Sequence, residues 1–314
     1  MEHQAIARYV GSAYGYTITA VTSVNEGLTN TNYRVHADEG VFLFKTYNFK
    51  TTPDVKEEVA VLDELTAHNF PSPRIIVQTS GVSVGAYNHK PCILYSYIEG
   101  EVVSKWSEKT LLEVGTLLGR MHILLADFKH TARRFVRDHD AMKKIVESGE
   151  QKFHDARYEG ADRLLTFVRT ELASISLPDN LPLGYTHEDI KPENVVLKDG
   201  KISGLLDFDL SYYGALMSDI TTTIIWSCFV DGALDLRRTE SLIRGYQSER
   251  LFSAVERGCF LDYILFRLVR EAFMSPFDVL PHNMDVTKPR SDAFIEIAKR
   301  FKSEKDLMSF SFSR

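Results

Sequence analysis

The chain has 314 residues, 44% of them hydrophobic, with 18 Gly, 10 Pro and a formal net charge of −6. That composition excludes a disordered or collagen-like chain and leaves room for two domains. The acidic balance lacks the basic footprint of a nucleic-acid binder.

Three well-separated cysteines, Cys92, Cys228 and Cys259, match no metal spacing and fit a reducing compartment. No basic flank followed by an apolar run opens the sequence. Apolar runs such as Leu94–Ile98 and Ile224–Trp226 fall far short of the roughly 20 residues of a membrane span. The expectation is a cytoplasmic protein without a membrane partner.

Residues 2–14 read as a short amphipathic helix. Three strands follow, Thr17–Val21, Asn32–His36 and Val41–Tyr47, rich in β-branched and aromatic residues. Residues 54–68 change period: Val55, Val59, Leu62 and Leu65 recur at helical spacing, with Asp54 as the expected N-cap. Two more strands are expected at Arg74–Val77 and Cys92–Ile98. Residues 1–98 thus form a sheet-rich lobe with one inserted helix.

Beyond Glu99-Gly100-Glu101 the chain turns helical. Residues 108–126 carry Leu111, Val114, Leu118, Met121 and Leu125 on one face, behind Ser107 or Thr110 as a cap. Residues 129–165 are polar, exposed helix. Residues 186–214 are strand and loop, and 215–302 are helical again. Residues 99–314 therefore form a larger, mostly helical lobe, and the fold class is α+β.

One loop concentrates chemistry: His187-Glu188-Asp189-Ile190-Lys191-Pro192-Glu193-Asn194. Asp207 comes thirteen residues after Asn194, across the hairpin turn Lys198-Asp199-Gly200-Lys201. The hairpin brings Asn194 and Asp207 to the same end of adjacent strands. Phosphoryl transfer needs such a cluster, because its transition state spreads negative charge and catalysis is positioning plus neutralisation. Magnesium takes hard oxygen ligands, which Asp207 and the Asn194 side chain supply. Asp189 can accept a hydroxyl proton, and Lys191 can neutralise a moving phosphate.

His187, Asp189 and Asn194 match the H-x-D-x-x-x-x-N loop shared by protein kinases and the aminoglycoside phosphotransferase/choline kinase superfamily. Asp207-Phe208 stands where those families place their metal-binding D-F-G aspartate. Asp209 replaces the Gly, and no A-P-E follows. Both departures point to the small-molecule kinases with a two-lobed protein-kinase-like fold. Asn30-Thr31-Asn32-Tyr33, Ser203–Phe208, Trp226–Phe229 and Gly245–Ser248 resemble the homoserine kinase branch in particular.

The resemblance implies ATP and Mg2+ as cofactors and a small hydroxylated metabolite as partner, homoserine or a related amino alcohol. Aminoglycosides, choline or hydroxylysine are alternative acceptors, and a non-catalytic nucleotide-binding regulator is an alternative of another class. It implies a nucleotide loop at Gly27–Asn30–Tyr33, where a plain hairpin turn is the other reading. It further implies that Lys45 holds phosphates while paired with Glu58, or with Glu57. The alternative for Lys45 is a water-facing edge strand. The backbone of Ser96 and Ile98 is expected to read the adenine edge.

His187 is expected to support the loop rather than exchange protons. Asp219 is expected to bond the loop, to N-cap the next helix, or both. Asp209, Tyr212 and Arg267 are candidate acceptor contacts. For Arg267 the other reading is a surface pair with Glu271.

Overall fold

The structure is a computed structural model, and it describes residues 2–24, 30–128, 136–310 and 312. Contacts divide the chain into two compact units. The first takes residues up to Val102 together with Asn194–Asp209; the second takes Val103–Ala126, the described residues from 136 to Glu193, and those from Leu210 onward. The hairpin after the chemistry-bearing loop thus groups with the first unit, although it lies within the span 99–314.

The first unit opens with helix α1 (Glu2–Tyr14) and strands β1 (Ile18–Val24), β2 (Asn30–Ala37) and β3 (Gly40–Tyr47). Helix α2 (Thr52–Ala67) and strands β4 (Ile75–Ile76), β5 (Gly85–Tyr87), β6 (Lys90–Ser96) and β7 (Glu101–Val102) follow. The main sheet is antiparallel in the order β1-β2-β3-β6-β4, with β5 also on β6. Strand β3 alternates with period two. Phe42 and Phe44 join Ile6, Val10 and Tyr14 of α1 in one core, while Tyr47 joins Val55 and Val59 of α2 in another. Lys45, two residues before Tyr47, therefore faces α2. It sits on a strand flanked by β2 and β6, which removes the edge-strand reading.

The second unit begins with α3 (Glu108–Leu124), α4 (His139–Asp155), α5 (Ala161–Ser174) and β8 (Leu183–Thr186). The chain then supplies β9 (Val195–Lys198) and β10 (Lys201–Leu205) to the first unit, where β9 pairs with both β10 and β7. Asp199 and Gly200 both take positive φ, 52° and 71°, as a two-residue hairpin turn requires. Back in the second unit come β11 (Tyr212–Ala215), paired with β8, and α6 (Met217–Ser227). The hairpin of β12 (Phe229–Val230) and β13 (Ala233–Leu234) leads to α7 (Leu236–Glu249), α8 (Ala254–Gly258), α9 (Phe260–Phe277) and α10 (Met284–Glu304). Helix α9 is buried on nearly all sides and packs against α4, α5, α6 and α10.

Two expected helix starts need correction. Asp54 is not the N-cap of α2; Thr51 is, and the Asp54 carboxylate three residues on accepts from the Thr51 N–H at 2.8 Å and hydroxyl at 2.6 Å. Asp219 is not the N-cap of α6, because it already lies inside the first turn. The helices α4 and α5 are also less exposed than expected: Met142, Val146, Phe153, Leu164 and Leu165 are buried.

Helices α3 and α7 meet backbone to backbone. A Cβ on Gly115 would collide with Leu242 O, and one on Gly245 with Leu112 O. Gly245→Ala is therefore expected to lower stability by about 1–3 kcal/mol. Gly258→Ala, whose Cβ would meet nothing within 4 Å, should be near neutral. Urea denaturation of both variants checks the contrast, and equal midpoints would refute it.

Candidate active site

Strand β8 ends where Thr186 pairs with Tyr212, and the loop begins at the next residue. Its first two amides are held by one carboxylate. Asp219, fully buried, accepts from His187 N–H at 2.8 Å and from Glu188 N–H at 2.7 Å. His122 of α3 approaches the same carboxylate through Nε2 at 2.9 Å, and its Nδ1 lies 2.8 Å from the Tyr246 hydroxyl on α7. Asp189 N–H donates to His187 Nδ1 at 3.2 Å. His187 is fully buried, so its ring shapes the loop from within.

Glu188 takes φ 72°, a conformation L residues rarely adopt and which costs about 1–3 kcal/mol. Its carboxylate binds Arg270 at 2.6 Å, Arg267 at 3.3 Å and the Thr186 hydroxyl at 3.1 Å. Both arginines stand on α9, and all four groups are buried. Burial alone would raise the Glu188 carboxyl pKa, but the Arg270 and Arg267 guanidinia outweigh it and hold it down to about 2.

Asp189 and Lys191 form an ion pair of 2.9 Å on the same loop. Burial pulls the Lys191 ammonium toward neutrality, yet Asp189 and other nearby carboxylates leave its pKa raised. Its Nζ also lies 5.5 Å from the Trp226 ring centroid on α6.

The first unit gathers a second cluster. Lys45, 2% exposed, binds Asp207 Oδ1 at 2.8 Å, Glu58 Oε1 at 3.5 Å and Asp209 Oδ2 at 3.8 Å. Of the two α2 candidates, Glu58 thus meets Lys45, and Tyr47 fixes Glu58 by a 2.8 Å hydrogen bond. Desolvation lowers the Lys45 pKa, but Asp207 and Glu58 carry it well above the ordinary lysine value. The β9–β10 register pairs Val195 with Leu205, and Leu206 N–H donates to Asn194 O at 2.8 Å. Asn194 and Asp207 therefore end the same side of the hairpin. Asp207 takes φ 64°, and its side chain is 41% exposed.

The candidate acceptor contacts Arg267, Tyr212 and Asp209 are all buried. Arg267 is 1% exposed and faces Glu188, so it neither lies on the surface with Glu271 nor offers an open clamp. Tyr212 is 2% exposed, with its phenol in the field of Glu188 and Arg270. Asp209 is 8% exposed and accepts from Asn30 Nδ2 at 2.6 Å, while Lys50 Nζ donates to its backbone carbonyl. Burial, then Asp207, raises the Asp209 carboxyl pKa.

The Ser96 N–H is committed to Arg74 O at 2.9 Å, which removes it as an adenine-reading donor. Gly27 lies outside the described residues, whereas Asn30 opens β2. Sequence reasoning missed Lys50, His122 and the buried pairing of Glu188 with Arg270. Arg270 was visible only as a charge on an apolar helix, the same signal that drew attention to Arg267.

The sequence matches the phosphotransferase enzyme family (APH) over residues 20–252. The chain belongs to that family. It is a phosphotransferase of the small-molecule kinase kind. Homoserine kinase of Azorhizobium caulinodans is 26% identical over 265 residues, covering 81% of each chain. The microcompartment-associated aminopropanol kinase superposes with a TM-score of 0.73 at 13% identity, covering 99% of this chain and 100% of that one. Amicoumacin kinase hAmiN, in complex with AMP-PNP, Ca2+ and Ami, gives a TM-score of 0.72 at 15% identity, covering 99% of this chain and 96% of that one. These structures share the α+β protein-kinase-like fold.

Glu188→Ala strands two buried guanidinia and is expected to cost about 3–5 kcal/mol at pH 7. The depressed carboxyl pKa contributes stability that is full above the unfolded value of about 4.3 and is lost as pH falls through about 2. The deficit of the variant should therefore shrink at pH 3. Denaturation curves at both pH values measure it, and an unchanged deficit would contradict the ion-pair account.

Proposed function

We propose that the protein transfers the γ-phosphoryl group of ATP to the hydroxyl of a small amino-bearing metabolite, with homoserine and related amino alcohols as the leading acceptors. The observation that carries this reading is the loop itself, where Asp189 stands beside Lys191 at 2.9 Å and the preceding amides are pinned by Asp219. The homoserine kinase relatives and the aminopropanol kinase fold support an acceptor of that class.

In this reading Asp189 orients the acceptor hydroxyl and takes its proton as the oxygen attacks the γ-phosphorus. The bond from phosphorus to the ADP oxygen breaks, a phosphate monoester forms, and ADP leaves. Lys191 offsets the charge of the moving phosphoryl group. Lys45, set by Glu58, holds the α- and β-phosphates, and Gly27 and Asn30 belong to the phosphate loop. The Ser96 carbonyl and the Ile98 backbone address the adenine, while His187 and Asp219 keep the loop in shape.

An exposed carboxylate on Asp207 and the amide oxygen of Asn194, at one end of one hairpin, form a hard-oxygen donor set that suits Mg2+. The bound ion would neutralise phosphate charge. Lys45 binds Asp207 and also lies near Asp209, so one ammonium sits beside both carboxylates.

Asp189→Ala is expected to lower turnover about 10²–10⁴-fold while nucleotide binding persists. Steady-state ADP release and nucleotide titration check this, and near-normal turnover would exclude Asp189 from the chemistry. Asp207→Ala should abolish the Mg2+ dependence of transfer, measured as rate against Mg2+ concentration; an unaltered dependence would remove the assignment.

A further inference from the structure

A second lysine follows strand β3, and the reaction described above gives it no task. Lys50 stands in the link between Tyr47 and Thr51, directly before the N-cap of α2. Phe49 beside it is 76% exposed, whereas the Lys50 side chain turns inward and is 12% exposed. An ammonium drawn in from a surface link needs partners to offset its lost hydration. Its Nζ lies 3.4 Å from Glu58 Oε2 on α2 and 5.6 Å from the Tyr47 ring centroid. It also donates to the backbone carbonyl of Asp209. Glu58 is thereby shared between two lysines, with Oε1 at 3.5 Å from Lys45 and Oε2 beside Lys50. All of these residues belong to the first unit.

The Asp209 carbonyl is a telling acceptor. Phe208–Leu210 forms a single 3-10 turn, and short helical turns leave carbonyls without an internal partner. Asp207, immediately before that turn, takes φ 64°, a backbone state that an L residue keeps only when its surroundings impose it. A bond at the carbonyl two residues on therefore holds the turn that aims the Asp207 carboxylate. Asn30 pins the side chain of the same residue, reaching Asp209 Oδ2 at 2.6 Å. Asp209 is thus gripped at its carboxylate from β2 and at its carbonyl from the start of α2.

The two lysines differ in what nucleotide binding asks of them. Lys45 bonds Asp207 Oδ1 at 2.8 Å, and an ammonium there competes with a metal ion for the same carboxylate. Once Lys45 turns to the phosphates, its tie between α2 and Asp207 is given up. The Lys50 bond goes to a main-chain carbonyl rather than to that carboxylate, so it persists while the side chains rearrange. We propose that Lys50 is a positioning residue for the metal site. It couples Glu58 of α2 to the Asp207–Asp209 turn and keeps Asp207 in its metal-binding orientation when Lys45 has moved to the nucleotide. This role rests on the reading above, in which Asp207 holds Mg2+ and Lys45 holds phosphates.

Calorimetric titration with ADP, in excess Mg2+ and again in EDTA, gives the factor by which the metal strengthens nucleotide binding. Lys50→Met should cut that factor about tenfold, as loss of a group that orients a metal ligand does, and leave the affinity for ADP in EDTA within about twofold of wild type. Lys50→Arg, which keeps a charged donor for both the Glu58 carboxylate and the Asp209 carbonyl, should restore most of the factor. Lys50→Gln removes the charge but keeps a polar side chain, and it takes the place of Lys50→Met should that variant not fold.

A factor equal in wild type and Lys50→Met would overturn the proposal and leave the metal assignment intact. A loss of affinity shared equally by the Mg2+ and EDTA titrations would also overturn it, because general packing acts on both. A wild-type protein whose ADP affinity is indifferent to Mg2+ would remove the metal assignment itself, and the role of Lys50 with it.

Discussion

One buried carboxylate organises the second unit. Asp219 receives two consecutive loop amides and faces the His122 ring, so a single side chain fixes where the loop leaves β8. An unpaired carboxylate in such a place would be costly; three partners offset that cost. The support comes from three helices. Asp219 lies on α6, His122 on α3 and Tyr246 on α7. The position of Asp189 therefore inherits the packing of elements far from it in sequence.

A second support acts on the next residue. Glu188 holds a left-handed backbone conformation, and its carboxylate is locked between Arg267 and Arg270. Ion pairs of this kind are weak sources of net stability but strong determinants of geometry once one partner is fixed. In the first unit the buried Lys45 plays a comparable part, drawing Glu58, Asp207 and Asp209 around one ammonium. Each unit thus orders its chemistry-bearing residues around buried charge rather than around apolar contacts alone.

Much of this was legible in the sequence because local rules agreed with one another. The alternation in β3 and the spacing of Val55, Val59, Leu62 and Leu65 in α2 reported elements that the structure contains. The hairpin turn at Asp199-Gly200 was legible, whereas the one-residue bulge at Ser203 that shifts the pairing and brings Leu206 to Asn194 was not. Boundaries slipped where a cap was a pair of residues: Asp54 looked like a first residue because Pro53 stands directly before it, while its partner Thr51 lies three residues back.

The polar partnerships were not legible. Glu188 meets arginines 79 and 82 residues away, and no periodicity announces which face of α9 turns toward them. Arg267 read as a surface charge because Glu271 stands one turn along, at a spacing that favours a pair.

The glycine contact between α3 and α7 bears on how far this protein can be altered. Gly115 and Gly245 let two backbones touch, so no side chain stands between the helices to absorb an added atom. His122 and Tyr246 ride on those same helices, and the chain from Tyr246 through His122 to Asp219 depends on that spacing. A designer who wished to rework the loop would have to inherit the two glycines unchanged, because the spacing that carries its support is written in them.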